Sequence, residues 1–256
     1  MALLMSRKAW KFKLESVKLK IANRVIEIRT VFLHTCDPAK LFLCNEAPDY
    51  SISITQDEIN REIKEYELQC GSNSLKFANA EFIAIHRKLS ELLLFDDIIV
   101  IHGAAIGFKG QSFVFSGRSG TGKTTHIVNW LHQCPYSFAI NGDKPFIKIN
   151  NDGSALACGS PWAGKEGMYT NTMVPLKAVI LMERAEDNHI EQISFAQAFP
   201  TLLQQTYRPD DAIKMRKTLH LMQRLSSTVS FWRFRFNNFK DDCFDTAFNA
   251  LVRNQP

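Results

Sequence analysis

Apolar residues alternate with polar ones through Val25-Ile26-Glu27-Ile28-Arg29-Thr30-Val31-Phe32-Leu33 and Ser51-Ile52-Ser53-Ile54, and period two predicts strands there. Ile59 to Leu68 fits a helix or a strand, because its charges blur the period. Phe82, Ile85, Leu89, Leu92 and Leu93 recur at helical spacing, so a helix is expected within Phe77 to Phe95. Ile98-Ile99-Val100-Ile101 reads as a strand running into His102-Gly103. Ala104 to Phe108, a Lys109-Gly110 turn and Ser112-Phe113-Val114-Phe115-Ser116 then predict two adjacent antiparallel strands. That departs from a plain repeat of strand and helix and predicts a mixed sheet.

Downstream, Ile127, Val128, Trp130 and Leu131 predict a helix over Thr125 to Gln133 that stops near Pro135. Phe138-Ala139-Ile140-Asn141 is a strand ending at Gly142-Asp143. The turn Asn151-Asp152-Gly153 joins Phe146 to Ile149 with Ala155 to Cys158 as a hairpin. Ala178 to Glu183 reads as the last clear core strand. From Phe195 onward the spacing is mostly helical, with a strand-like aromatic run at Phe231-Trp232-Arg233-Phe234-Arg235-Phe236. The expected organisation is a small β-rich subdomain over residues 1–75 and an α/β domain with a mixed sheet and flanking helices over residues 76–256.

Between two of these elements lies Gly117-Arg118-Ser119-Gly120-Thr121-Gly122-Lys123-Thr124, which satisfies G-x-x-x-x-G-K-[ST] at every fixed position. Glycines at such spacing let backbone N–H groups turn inward on phosphate oxygens. Lys123 then supplies a point charge for the β- and γ-phosphates, Thr124 a hydroxyl for Mg²⁺, and the following helix, from Thr125, its positive end. Strand, loop and helix come in the order this chemistry needs, so nucleotide binding is expected.

Composition narrows the setting. The 256 residues are 45% hydrophobic with a net charge of +5, enough for a core and suited to a polyphosphate ligand or an acidic partner. No arginine-rich block or basic helix argues for nucleic acid. No apolar run is long enough to cross a bilayer, and Met1 to Met5 is too short for a signal-peptide core. The basic start, Arg7-Lys8 to Lys18-Leu19-Lys20 with Trp10, Phe12 and Leu14 interleaved, reads as a strand with one solvated face. Cys36, Cys44, Cys70, Cys134, Cys158 and Cys243 form no C-x-x-C pair, which favours reduced thiols, a cytoplasmic setting and no zinc site.

Three further places could carry chemistry. Asp143 follows a strand about twenty residues after Lys123, where a carboxylate can reach a metal beside the phosphates. His102 ends a strand expected beside the loop strand, with Gly103 permitting close backbone approach. Ser160-Pro161-Trp162-Ala163-Gly164-Lys165-Glu166-Gly167 is a glycine-rich loop whose Trp162, Lys165 and Glu166 could border a substrate. Arg184 and Arg208 are weaker phosphate candidates.

Together, Ile101-His102-Gly103, Ser116 to Thr125 and Asn141-Gly142-Asp143-Lys144-Pro145 resemble the catalytic domain of HPr kinase/phosphorylase. That domain has the phosphoenolpyruvate carboxykinase-like nucleotide-binding fold. The resemblance covers roughly Phe77 to Asn188. It implies ATP and Mg²⁺ as cofactors, with Lys123 and the loop at the phosphates, Thr124 and Asp143 at the metal, and His102 beside them. The family carries two consecutive aspartates where this chain reads Gly142-Asp143, so Asp143 must serve both metal and base, or another residue such as His102 must take the proton, or transfer is slow or absent. The expected activity is transfer of the γ-phosphoryl group to a Ser or Thr hydroxyl of a peptide or small protein. A small-metabolite kinase and a nucleotide-binding regulator without turnover are the alternatives, and homo-oligomerisation is compatible with all three.

Overall fold

A computed structural model describes residues 15–33, 36–71, 75–237, 240 and 242–253. The chain divides into two compact units, one of Met1–Leu19 with Val25–Ile85 and one of Lys20–Arg24 with His86–Pro256.

In the first unit, β1 (Glu15–Ile21), β2 (Arg24–Thr30) and β3 (Tyr50–Ser53) form a three-stranded sheet in that order, with β2 and β3 parallel. Leu19, Ile26 and Ile28 are fully buried, as the alternation requires. Of the basic start, Lys18-Leu19-Lys20 lies on β1, whereas residues 7–14 lie outside the described residues. Besides the short α1 (Asp37–Lys40), the ambiguous charged stretch is a helix, α2 (Gln56–Cys70). Its start is fixed by a capping box in which Thr55 Oγ1 accepts the Glu58 N–H and Glu58 reaches back to the Thr55 N–H. The unit is therefore less purely β than the runs before Ser74 suggest. Helix α3 (Phe77–Leu92) follows.

The second unit is built on a nine-stranded mixed sheet. Its strands are β4 (Ile98–Val100), β5 (Gly103–Phe108), β6 (Gln111–Ser116), β7 (Phe138–Asn141), β8 (Phe146–Ile149), β9 (Ala155–Cys158), β10 (Met173–Arg184), β11 (His189–Ile193) and β12 (Ser230–Phe236). β5 and β6 are the expected antiparallel pair, and β8 and β9 the expected hairpin. One expectation needs correction: β10 is not the last core strand. β12 lies parallel beside it from Ala178↔Ser230 to Arg184↔Phe236, and β11 pairs antiparallel with β12. The aromatic alternation on β12 is thus a core signal, with Phe231, Phe234 and Phe236 buried.

Strand periodicity sorts the core onto two faces. Val114, Val179 and Leu181 pack with Leu202, Leu221 and Met222 of α5 (Phe195–Gln205) and α6 (Ala212–Leu225). Phe113, Phe115, Ile180 and Met182 pack with Ile127 and Trp130 of α4 (Lys123–Gln133) and with Phe244 and Ala247 of α7 (Cys243–Phe248). No helix among the described residues is long and apolar enough to cross a membrane, and all six cysteines are free.

Candidate active site

Pairing directions bring four chain segments to one end of this sheet. β6 and β10 are parallel, so Ser116 and the Met182–Arg184 end lie at the same edge. β5 runs against β6 and begins there, with Gly103 opposite Ser116. β7 also runs against β5, so its last residue, Asn141, arrives at that edge opposite Ala105. Ends of strands in open α/β sheets are where ligands are held, because loops there converge on a rigid frame.

From β6 the chain enters the loop Gly117 to Gly122 and then α4, whose first residue is Lys123. Gly122 caps that helix at φ 114°, a conformation that L side chains rarely adopt. Arg118, Ser119 and Gly120 are exposed, and Lys123 is buried. The Lys123 Nζ donates to the carbonyls of Gly117 at 2.9 Å and Arg118 at 3.1 Å, which holds the loop curled over it. Burial pulls the Lys123 pKa below the ordinary lysine value, and the nearby Asp143 charge opposes that shift. Thr124, half-buried, and Thr125, exposed, follow on the first turn of α4. Arg184, at the end of β10, donates to Gly120 O at 2.8 Å and Thr121 O at 3.3 Å, so it braces the loop backbone. A cleft of about 520 Å³ runs along the loop between residues 117–121, the end of β10, and Thr201 and Gln204 of α5.

At the neighbouring strand ends, Asp143 Oδ1 lies 3.4 Å from His102 Nε2, and Asp143 Oδ2 lies 3.9 Å from Lys144 Nζ. Burial alone would raise the Asp143 pKa. The His102 hydrogen bond and the charges of Lys144, His102 and Lys123 outweigh it and hold the carboxyl below its usual range. The other His102 nitrogen, Nδ1, lies 2.8 Å from Gln205 Oε1. Two backbone bonds fix the segments here: His102 N–H donates to Gln205 O, at the end of α5, at 2.7 Å and Gly103 N–H to Asp143 O at 2.8 Å. Ser116 Oγ, one residue before the loop, donates to His102 O at 2.8 Å.

Lys123, Asp143 and His102 therefore come together, and the loop residues frame them. Trp162 lies inside the core. Its side chain is only 5% exposed, with ring centroids 5.1 Å from His86 and 6.3 Å from Phe146. A tryptophan in a glycine-rich loop looks like a binding residue in sequence, but here it is the anchor that fastens the loop to the core. Lys165 and Glu166 remain exposed. Gln205 escaped the sequence reading, being 103 residues from its partner, and Asn141 appears there as a strand end and in the resembling string Asn141 to Pro145, with no role of its own.

Gly142 is explained by packing. A Cβ there would stand 2.7 Å from the carbonyl oxygen of Ala163, so the 160–167 segment occupies the space that a second carboxylate would need. Gly142→Asp is accordingly expected to destabilise the fold by about 1–3 kcal/mol, checked by denaturant unfolding. A variant as stable as the parent would show that the Ala163 carbonyl yields freely.

The oxygen donors here are of the type that hard cations take. Among the described residues no three His, Cys, Asp or Glu side chains cluster as a metal cage. One hydroxyl, Thr124, on the first turn of α4, and one carboxylate, Asp143, are oxygen donors of the kind that Mg²⁺ takes one or two of from a protein.

No protein-family model matches the chain, and no curated protein does. Among solved structures it is similar to the HPr(Ser) kinase/phosphatase from Coxiella burnetii, with 11% identity and a TM-score of 0.37 over 60% of this chain and 88% of that one. A likeness so loose fixes neither activity nor fold.

Proposed function

We propose that the protein is an ATP- and Mg²⁺-dependent kinase that transfers the γ-phosphoryl group to a Ser or Thr hydroxyl of a peptide or small protein. One observation carries the reading: a G-x-x-x-x-G-K-T loop with its lysine buried beneath it shares a sheet edge with the Asp143–His102 pair. The loop amides and Lys123 would hold the phosphates, and Thr124 with Asp143 would hold the metal. When bound, the metal neutralises charge on the β- and γ-phosphates.

Asp143, kept ionised by its neighbours, takes the proton of the acceptor hydroxyl. The acceptor oxygen bonds to the γ-phosphorus, the bond from that phosphorus to the β–γ bridging oxygen breaks, and ADP leaves with the electron pair. His102 steadies the carboxylate from one side and Lys144 from the other. The likeness to HPr kinase/phosphatase agrees with a phosphotransferase but does not carry this reading.

A second reading, a nucleotide-binding regulator without turnover, draws on Gly142, where the backbone of Ala163 excludes a second acid. Incubation with labelled ATP, Mg²⁺ and a pool of peptides, small proteins and hydroxylated metabolites, followed by mass spectrometry, separates the two. The kinase reading expects phosphate on a Ser or Thr, lost by about 10²–10⁴-fold in Asp143→Asn. Tight Mg-ATP binding with no labelled product would favour the regulator. Label confined to a metabolite would redirect the acceptor class, and failure to bind ATP would overturn both readings.

A further inference from the structure

We infer that Asn141 is the positioning residue that aims Asp143, by fastening the turn that carries it to the segment after β9. This goes one step beyond the kinase reading and rests on its assignment of Asp143. An asparagine side chain offers two acceptor lone pairs and two N–H donors. Asn141 spends all four. Its Oδ1 accepts the Asp143 N–H at 2.9 Å and the Lys144 N–H at 2.7 Å, and its Nδ2 donates to Ser160 O at 3.1 Å and Ser160 Oγ at 2.9 Å. The side chain is fully buried. Nothing of it remains to touch a ligand, so any effect on chemistry passes through the residues it holds.

What it holds is specific. The two N–H groups it accepts belong to Asp143 and to Lys144, which flanks the carboxylate. The Asp143 carbonyl is taken by Gly103, and the Lys144 carbonyl by Ser160 Oγ at 3.3 Å. Backbone groups on both sides of the carboxylate are thus committed, and little besides the Asp143 side-chain torsions stays free. Strand β7 is shaped for this purpose. Between the pairs Ala105↔Asn141 and Ile106↔Ala139 it has one residue more than β5, a bulge at Ile140 beside the site.

Positioning is separable from mere support of the fold. Asn141→Ala should lower kcat about 10–100-fold with KM for ATP within about twofold, because a displaced reacting group costs rate more than binding. Asn141→Ser, which keeps a shorter acceptor two residues before Asp143, should lose less. In an Asp143→Asn background Asn141→Ala should add almost nothing, the non-additivity of residues that act through one group. A readout without turnover is the Mg²⁺ dependence of ADP binding by calorimetry: Asn141→Ala should remove most of the Mg²⁺ enhancement and leave metal-free ADP affinity unchanged. A purely structural Asn141 would instead lower the unfolding midpoint while folded protein keeps parental kcat and Mg²⁺ enhancement, and that overturns the inference. Failure of the kinase reading shows separately, as a parent with no transfer; if its ADP binding still responds to Mg²⁺, the calorimetric comparison with Asn141→Ala continues to test the positioning role.

Discussion

Lys123→Ala is expected to abolish phosphoryl transfer, with a loss of at least about 10²–10³-fold, the scale for removing one preorganised donor from a developing charge. The ammonium also has a structural task. It bridges Gly117 O and Arg118 O beneath the loop, so it shapes the cradle to which the proposed function assigns the phosphates. Alanine removes charge and shape together. Lys123→Arg should fail as well, since a planar guanidinium cannot occupy the same buried point between two carbonyls. Loss by unfolding is distinguished by calorimetry. A change of about 1 kcal/mol corresponds to roughly 2–4 °C in a chain of this size, and the midpoint should move no further than that. Transfer retained at the parental rate would remove the loop from the chemistry altogether.

Acid should unfold the second unit well above the range in which carboxylates alone titrate. His126, on the first turn of α4, is fully buried between Phe115 and Phe234, at ring distances of 4.7 and 5.3 Å. Trp130 Nε1 donates to its Nε2 at 3.1 Å, while Nδ1 has no partner. Burial pulls its pKa down to about 3. His86, packed on Phe146 and Trp162, is likewise pulled down to about 3, first by burial and then by Lys144, with Asp143 opposing.

Both histidines are therefore neutral when folded, whereas in the unfolded chain they bind protons near pH 6.5. The unfolded state gains protons first as pH falls, so stability is complete above about pH 6.5 and declines toward pH 3. At pH 4 the loss is roughly 3 kcal/mol for each histidine. Asp143, whose folded pKa is depressed, adds a further loss only below the ordinary carboxylate range. Urea unfolding from pH 7.5 to 4 measures this. His126→Gln, which keeps an acceptor for Trp130, should flatten the acid limb, and a parental curve level from pH 7 to 5 would contradict the burial argument.

The loop and its flanks were legible because they are local: one strand, one tight turn and one helix within about twenty residues, each with its own signal. The hairpins at Lys109-Gly110 and Asn151-Asp152-Gly153 were legible for the same reason. Helix α2 was missed as a definite element although its signal was present, since Thr55 and Glu58 stand three apart as a capping box requires. Other features depend on distant partners. β12 joins the sheet beside β10 across an intervening strand and two helices, and no period announces which neighbour a strand will choose. Gln205 reaches His102 only through the docking of α5, and Asn141 reaches Ser160 only once the loop has packed through Trp162. The burial of Trp162 was not legible, because sequence shows that a loop is rich in glycine, and not which way its one large ring turns.

The bulge in β7 bears on how this site tolerates change. In a regular strand successive side chains look to opposite faces. Ala105, opposite Asn141, belongs to the same core layer as Ile140, while Ile106, opposite Ala139, belongs to the other. Ile140 and Asn141 therefore look the same way, one supplying hydrocarbon and the next an amide to a single face. Straightening β7 without changing its residues would turn Asn141 toward the layer of α4 and α7. The aim of the carboxylate is thus a matter of parity as well as of bonding: it depends on three residues, Ala139 to Asn141, set against two, Ala105 and Ile106.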